Sequence, residues 1–246
     1  MIISPVRQYR LLEMIPGLLI WTTFLATIIF SFVKPLWVIG FILIFALLWL
    51  LRVLYFVVFT IIGWKNYKDE IAQPWAEMLA SVEDETKDLW HLVVLPTYEE
   101  SYEVLKHSID SYKNSSYSNK KIMILISKEE RASEETRDVP QRILEEYKDV
   151  FADIQFTVHP DGIPGEMKGK GANAHWAGHA AKDMLDEKGI EYKNVIVSYF
   201  DVDTVVHTDY FSALTYKYVK HPNPTRTAFQ PVVLYNNNIW ESHCQI

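Results

Sequence analysis

The sequence predicts an α/β protein: two N-terminal transmembrane helices, then a globular body on a mainly parallel sheet. Three observations carry this. Two long apolar runs open the chain, short apolar runs then alternate with amphipathic ones, and several of those short runs end in polar clusters.

The apolar runs come first. Met14 to Val33 is twenty residues without a charge, enough to cross a hydrocarbon core of about 30 Å. Lys34-Pro35 interrupts, and a second run extends from Leu36 to Trp64 with only Arg52 inside it. This is longer than a perpendicular span needs, so Arg52 is expected to snorkel or to face protein. Trp21, Trp37 and Trp64 lie near the run ends, where aromatic rings favour the headgroup layer. A signal peptide is the alternative. No small-x-small cleavage site follows Val33, and a second span comes at once. Arg7, Arg10, Lys65 and Lys68 share one side against Lys34 in the turn, so the positive-inside rule puts the N-terminus and body in the cytosol. The expectation is a multi-pass protein of the cytoplasmic membrane, with the bilayer as partner.

Residues 1–64 carry a net charge of +3, and the whole chain −7, leaving −10 on the body. An acidic body argues against nucleic acid as a partner, because phosphate contacts need a basic surface. Cys244 is the only cysteine, which excludes an intramolecular disulfide and suits a reducing compartment.

Residues 65–88 are expected as a charged, Pro-containing juxtamembrane linker, and residues 89–246 as the body. Leu89–Pro96 is a buried-strand pattern, and Ser101 caps a helix to about Tyr112. Lys121–Ser127 predicts a second strand, Ser133–Lys148 a second helix opened by Ser133, and Ala152–His159 a third strand. Asp161–Gly171 is a glycine-rich loop leading to a helix over Ala172–Lys188 that stops at Gly189. Val195–Phe200 follows as a strand, Thr208 caps another helix, and Thr227–Leu234 is a last strand. Alternation of this kind gives right-handed crossovers and a parallel sheet covered on both faces, with ligands beyond the carboxyl ends of its strands. Three polar clusters, Thr97 to Glu100, Ser127 to Glu130, and Asp201-Val202-Asp203, should therefore meet at one edge.

Asp201 and Asp203 stand at the end of the apolar run VIVSYF. Residues two apart in an extended strand point the same way, so both carboxylates can face one cation. One or two carboxylates completed by water and diphosphate is a common way to hold Mg²⁺ or Mn²⁺. Lys168 and Lys170 alternate with glycine just before a helix, where a lysine and backbone N–H groups can meet a phosphate; a plain glycine-rich turn is the alternative. The P-loop pattern is absent. His175 and His179 are four apart, but Trp176 stands where H-E-x-x-H needs Glu, so they are expected as packing or surface histidines. Tyr98 offers a flat face for a base, and a neighbouring carboxylate can accept from base N–H or ribose hydroxyls.

Together these motifs resemble the family 2 glycosyltransferases of the GT-A fold. HLVVLPTYEES looks like that family's opening strand and P-T-Y-N-E turn, with Glu99 where Asn is usual. GKGANAHWAG looks like its G-K-G-x-A-x-N loop, and SYFDVDTVVHTDYF like its D-x-D strand end. AFQPVVLYNN is similar to the Q-x-P-x-x-x-Y-N segment of membrane-bound polysaccharide synthases. The resemblance implies inverting transfer of a sugar from a nucleotide-diphosphate donor to a glycan or lipid acceptor. On that basis Thr97, Tyr98 and Glu100 would hold the nucleoside. Glu129 would replace the acid usual after the second strand, where Ser127-Lys128 departs from the pattern. Lys170 would lie by the phosphates, Asp201 would hold ribose or metal, and Asp203 would coordinate the Mg²⁺ or Mn²⁺. The family's acceptor-side base and Q-x-x-R-W motif have no counterpart after Asn238, and Glu241 is too near the last strand to serve. The expectation is a C-terminally incomplete GT-A domain, a donor-binding half that does not turn over alone.

Two rivals stand beside it. D-V-D-T-V also fits haloacid-dehalogenase-like phosphatases, which would make Asp201 a nucleophile. A membrane-tethered nucleotide-binding module without catalysis is the other.

Overall fold

The computed structural model describes residues 5–234. The chain divides into two compact units, Met1–Ala72 and Gln73–Ile246.

The first unit is a pair of helices, α1 (Pro5–Val33) and α2 (Pro35–Ile71). Lys34 between them leaves helical geometry, with φ −144° and ψ 66°, because the ring of Pro35 disfavours the α conformation in the residue before it. Pro35 itself costs nothing at the first helical position, where its missing N–H has no intrahelical acceptor. Both helices are long and apolar enough to cross a membrane, and their apolar windows bury nothing against protein. At 37 residues, α2 is about 56 Å long. It is thus longer than a hydrocarbon core of about 30 Å needs and continues through Lys65–Ile71, the start of the expected linker. Arg52 sits over the rings of Trp49 and Phe56, at 5.2 and 5.6 Å. Those contacts give an intrahelical reason for a cation inside an apolar run.

The second unit opens with two short helices, α3 (Trp75–Ala80) and α4 (Glu83–Thr86), so the remainder of the expected linker is folded too. Trp75 is buried, with its ring 5.9 Å from Tyr216. Four parallel strands follow in the order β3-β2-β1-β4: β1 (Trp90–Thr97), β2 (Ile122–Glu129), β3 (Asp153–His159) and β4 (Val195–Tyr199). The predicted helices appear as α5 (Tyr102–Lys113), α6 (Val139–Tyr147), α7 (Lys170–Glu187) and α8 (Tyr210–Lys220).

Alternate residues of each strand enter different cores. Val93, Leu95, Ile122, Ile124 and Ile126 pack with Leu105, Ile109 and Tyr112 of α5 and Ile143 and Tyr147 of α6. Leu92, Val94, Met123 and Leu125 pack with Ala177, Ala181, Met184 and Leu185 of α7. With both faces covered, the strands read as continuous apolar runs rather than alternating ones.

Three sequence expectations need correction. The second helix begins at Val139, not Ser133, because Pro140 fits only a first turn; Glu134–Thr136 forms a separate 3₁₀ turn. The cap of α8 is Asp209 rather than Thr208, and its side chain makes no capping bond. Thr227–Leu234 is not a strand. Val232, Val233 and Leu234 are exposed, and Pro231 lacks the N–H a central ladder needs. Tyr235, Asn236, Glu241 and Cys244 lie outside the described residues.

Candidate functional site

Because all four strands are parallel, their carboxyl ends share one edge. Pairing runs Thr97 to Lys128 and Glu129 to His159, and β4 meets β1 through Val94 and Tyr199. The chain builds outward from β1 to β2 to β3, then returns to lay β4 on the other side of β1. That reversal makes a switch point between β1 and β4, where open α/β sheets leave a ligand crevice. The segments that end these two strands carry Thr97 to Glu100 and Asp201 to Asp203.

On the β1 side, Thr97 is 5% exposed, and its Oγ1 has no hydrogen-bond partner among the described residues. A buried hydroxyl left unpaired costs about 1–3 kcal/mol. Tyr98 is partly exposed, and its backbone N–H donates to Glu100 Oε2 at 2.6 Å. Ser101 then caps α5, accepting from the Val104 N–H at 3.5 Å, as its sequence position predicts.

On the β4 side, the two aspartates are not in the strand. Backbone pairing persists to Phe200, whose N–H donates to Val94 O at 3.1 Å. A turn follows in which the Thr204 N–H donates to Asp201 O at 2.9 Å. Val202 is buried between the exposed Asp201 and Asp203, so a turn pinned by an apolar residue presents the carboxylates, not strand pleating. Helix α5 holds this turn along one stripe. Ser108 donates to Val202 O, Tyr112 donates to Thr204 O at 3.1 Å, and Ser111 Oγ accepts from the Val206 N–H at 3.1 Å. Burial, with Tyr210 and Asp203 nearby, pushes the Tyr112 hydroxyl pKa up, which keeps it protonated as a donor. These three positions went unread in the sequence. Their signal was a hydroxyl stripe at i, i+3 and i+4 on a helix face that otherwise buries Leu105 and Ile109.

Helix α7 delivers the cation. Gly169, at its N-terminal boundary, has φ 157° and ψ 177°, a region essentially closed to side chains. The following Lys170 pairs with Asp201, and both side chains stay more than half exposed, at 56% and 63%. Asn173, one turn on and buried, bonds the end of β2 twice: its Oδ1 accepts from Ser127 Oγ, and its Nδ2 donates to Ser127 O at 2.9 Å. Lys168 does not join Lys170. It pairs with Asp161 at 2.5 Å, within its own loop, and holds that carboxyl below its usual range.

Glu129 lies one strand further out, at the end of β2, and its carboxylate is taken by Arg131. The Arg131 guanidinium also covers the Tyr98 ring at 4.9 Å, a link the sequence reading missed. Lys128 turns inward to Thr136, donating to its carbonyl and to its Oγ1 at 2.9 Å, and burial pulls its pKa down. His159 Nε2 stands 2.9 Å from Glu166 Oε1, although neither atom makes a hydrogen bond among the described residues.

Among the described residues, no group of three or more His, Cys, Asp or Glu side chains is arranged to enclose a metal ion. Asp201 and Asp203 are thus at most two carboxylates, exposed on either side of Val202, and an ion held by so few carboxylates would need water or phosphate to complete its shell.

No family model and no curated protein matches the chain. Among solved structures, it is similar to the mannosyltransferase PcManGT from Pyrobaculum calidifontis, in complex with GDP-Man and Mn²⁺. That match has 15% identity and a TM-score of 0.37, over 66% of this chain and 40% of that one. It is also similar to S. aureus TarS 1-349 (15% identity, 49% of this chain and 29% of that one, TM-score 0.33) and to S. aureus TarS (15%, 53% and 20%, 0.34). The chain spans less than half the length of each. At these identities and TM-scores the matches are distant.

Proposed function

We propose that the chain is the donor-binding part of a membrane-anchored glycosyltransferase of the family 2, GT-A type. Residues 1–64 serve as its anchor, residues 65–88 join anchor to body, and the body faces the cytosol. The observation that carries this reading is the convergence at the β1–β4 switch point of an unpaired buried hydroxyl, an exposed Lys170–Asp201 pair and a second carboxylate, Asp203.

In this reading a nucleotide-diphosphate sugar lies across the crevice. Tyr98 stacks on the base, Thr97 Oγ1 gains the partner it lacks, and the Glu100 oxygen not used by Tyr98 accepts from the ribose. Lys170 leaves Asp201 for the diphosphate, which exchanges one ion pair for another at little cost because both groups are already solvated. Asp201 and Asp203 would hold Mg²⁺ or Mn²⁺, whose positive charge would stabilise the departing diphosphate. Glu129 shapes the base site through Arg131 rather than by direct contact. Transfer with inversion to a glycan or lipid hydroxyl completes the reaction, its general base unassigned.

Calorimetry on the detergent-solubilised chain with UDP and GDP, with and without Mn²⁺, tests this. Manganese-dependent binding that disappears in Asp203→Asn is expected. Binding that ignores both the metal and the substitution, or no binding by folded protein, would overturn it.

A further inference from the structure

On the exposed face of α7, His175 and His179 are joined by a hydrogen bond between their Nε2 atoms. Their rings are 4.7 Å apart and nearly perpendicular, at 87°, and the two Nε2 atoms stand 3.3 Å apart. We propose that this pair is a two-imidazole chelate for a borderline divalent transition ion such as Zn²⁺, independent of the donor-site reading.

The geometry suits the ion. Zinc binds imidazole nitrogen at about 2.0–2.1 Å, so an ion equidistant from nitrogens at this separation subtends about 107°, close to the tetrahedral value of about 109°. The ion would displace the hydrogen bond between them: both rings then carry their protons on Nδ1, leaving the two Nε2 lone pairs for the metal.

The helix beneath them is held still. Asn173 bonds the end of β2 through two contacts, and Trp176, lying between the histidines in sequence, donates from Nε1 to Thr157 Oγ1 of β3 at 2.9 Å. Chelation therefore starts from an ordered helix and forfeits little backbone freedom. Ligand type also separates this pair from Asp201 and Asp203, since imidazole suits Zn²⁺, Cu²⁺ or Ni²⁺ while carboxylates with water suit Mg²⁺ and Mn²⁺. Water completes the coordination shell. A bound ion would clip together the second and third turns of the helix whose first residue is Lys170.

The test is calorimetric titration of Zn²⁺ into the full detergent-solubilised chain. The protein carries no polyhistidine tag, and excess Mg²⁺ is present to compete for carboxylate oxygens. Wild type should bind one Zn²⁺ per chain. His175→Gln and His179→Gln should each weaken binding at least about tenfold, because the second imidazole acts as an intramolecular ligand once the first is bound. Zn²⁺ should also raise the thermal midpoint of wild type and of neither variant, a readout separate from nucleotide binding. Both positions are exposed on a formed helix, so both variants should retain the wild-type helical signal. Affinity unchanged in either variant, or no binding by wild type, would overturn the proposal.

Discussion

The two halves of the sheet's carboxyl edge use charge differently. At the ends of β2 and β3 the polar side chains are turned inward, and only the Lys168–Asp161 pair of the loop beyond them stays exposed. The Glu129 side chain is 9% exposed and paired with Arg131, Lys128 is buried against Thr136, and His159 meets Glu166. Between β1 and β4, Lys170 and Asp201 are also paired, but both remain more than half exposed, and the Thr97 hydroxyl at the end of β1 is buried without a partner among the described residues. A buried ion pair cannot release one member without stranding the other in low dielectric. An exposed pair can trade partners with a ligand. The same residue types therefore act as scaffold on one side and as a candidate site on the other.

The far end of β1 supplies a reference unconnected with either half. His91 is fully buried beneath Tyr117 and Phe211, its Nε2 is 2.7 Å from Thr215 Oγ1, and desolvation lowers its pKa from 6.5 to about 3. The unfolded chain takes up a proton below about pH 6.5 that the folded chain refuses. Stability is therefore full above that pH and falls as pH drops toward 3, by about 1.36 kcal/mol per unit from this group alone. This is the largest effect expected. Chemical denaturation across that range should show a steeper pH dependence for wild type than for His91→Phe, and parallel curves would mean His91 already titrates in the folded state.

Next in size is Asn173→Ala. It leaves the buried Ser127 groups without their partners and should cost about 1–3 kcal/mol in a denaturant midpoint measurement. If α7 is positioned mainly by Ala177, Ala181 and Leu185 instead, the loss will be no larger than that of a surface change.

The two lysines of the glycine-rich loop address the contrast most directly. Lys170→Ala should weaken manganese-dependent nucleotide binding about tenfold, the loss of one charge-assisted contact. Lys168→Ala, which removes only the Asp161 partner, should leave binding where it was. Equal losses in the two variants would mean that the loop acts as one basic patch.

Much of this could be read from residue order. The two apolar runs, the alternation of strands and helices, Ser101 as a cap, Gly189 as a stop (φ +64°) and the polar strand ends all express local periodicity and backbone preference, which short segments carry by themselves. The missed features depend on partners distant in the chain. Arg131 matters because it reaches both Glu129 and Tyr98. Ser108, Ser111 and Tyr112 matter because a turn about ninety residues later rests on them. Thr227–Leu234 looked like a strand by composition, but a strand also needs a neighbour and, within a sheet, an N–H that Pro231 lacks.

By itself, then, the sequence determined the two long apolar helices, the α/β class, the parallel strands and the residue types at their ends, since these follow from hydrophobic period and from proline and glycine geometry. Only the tertiary structure decided which charges face solvent and which are spent inside the fold. It put Lys170, rather than Lys168, beside Asp201, and raised both aspartates on a turn held by α5. Charge pairing and burial are properties of three-dimensional neighbours, and sequence spacing does not encode them.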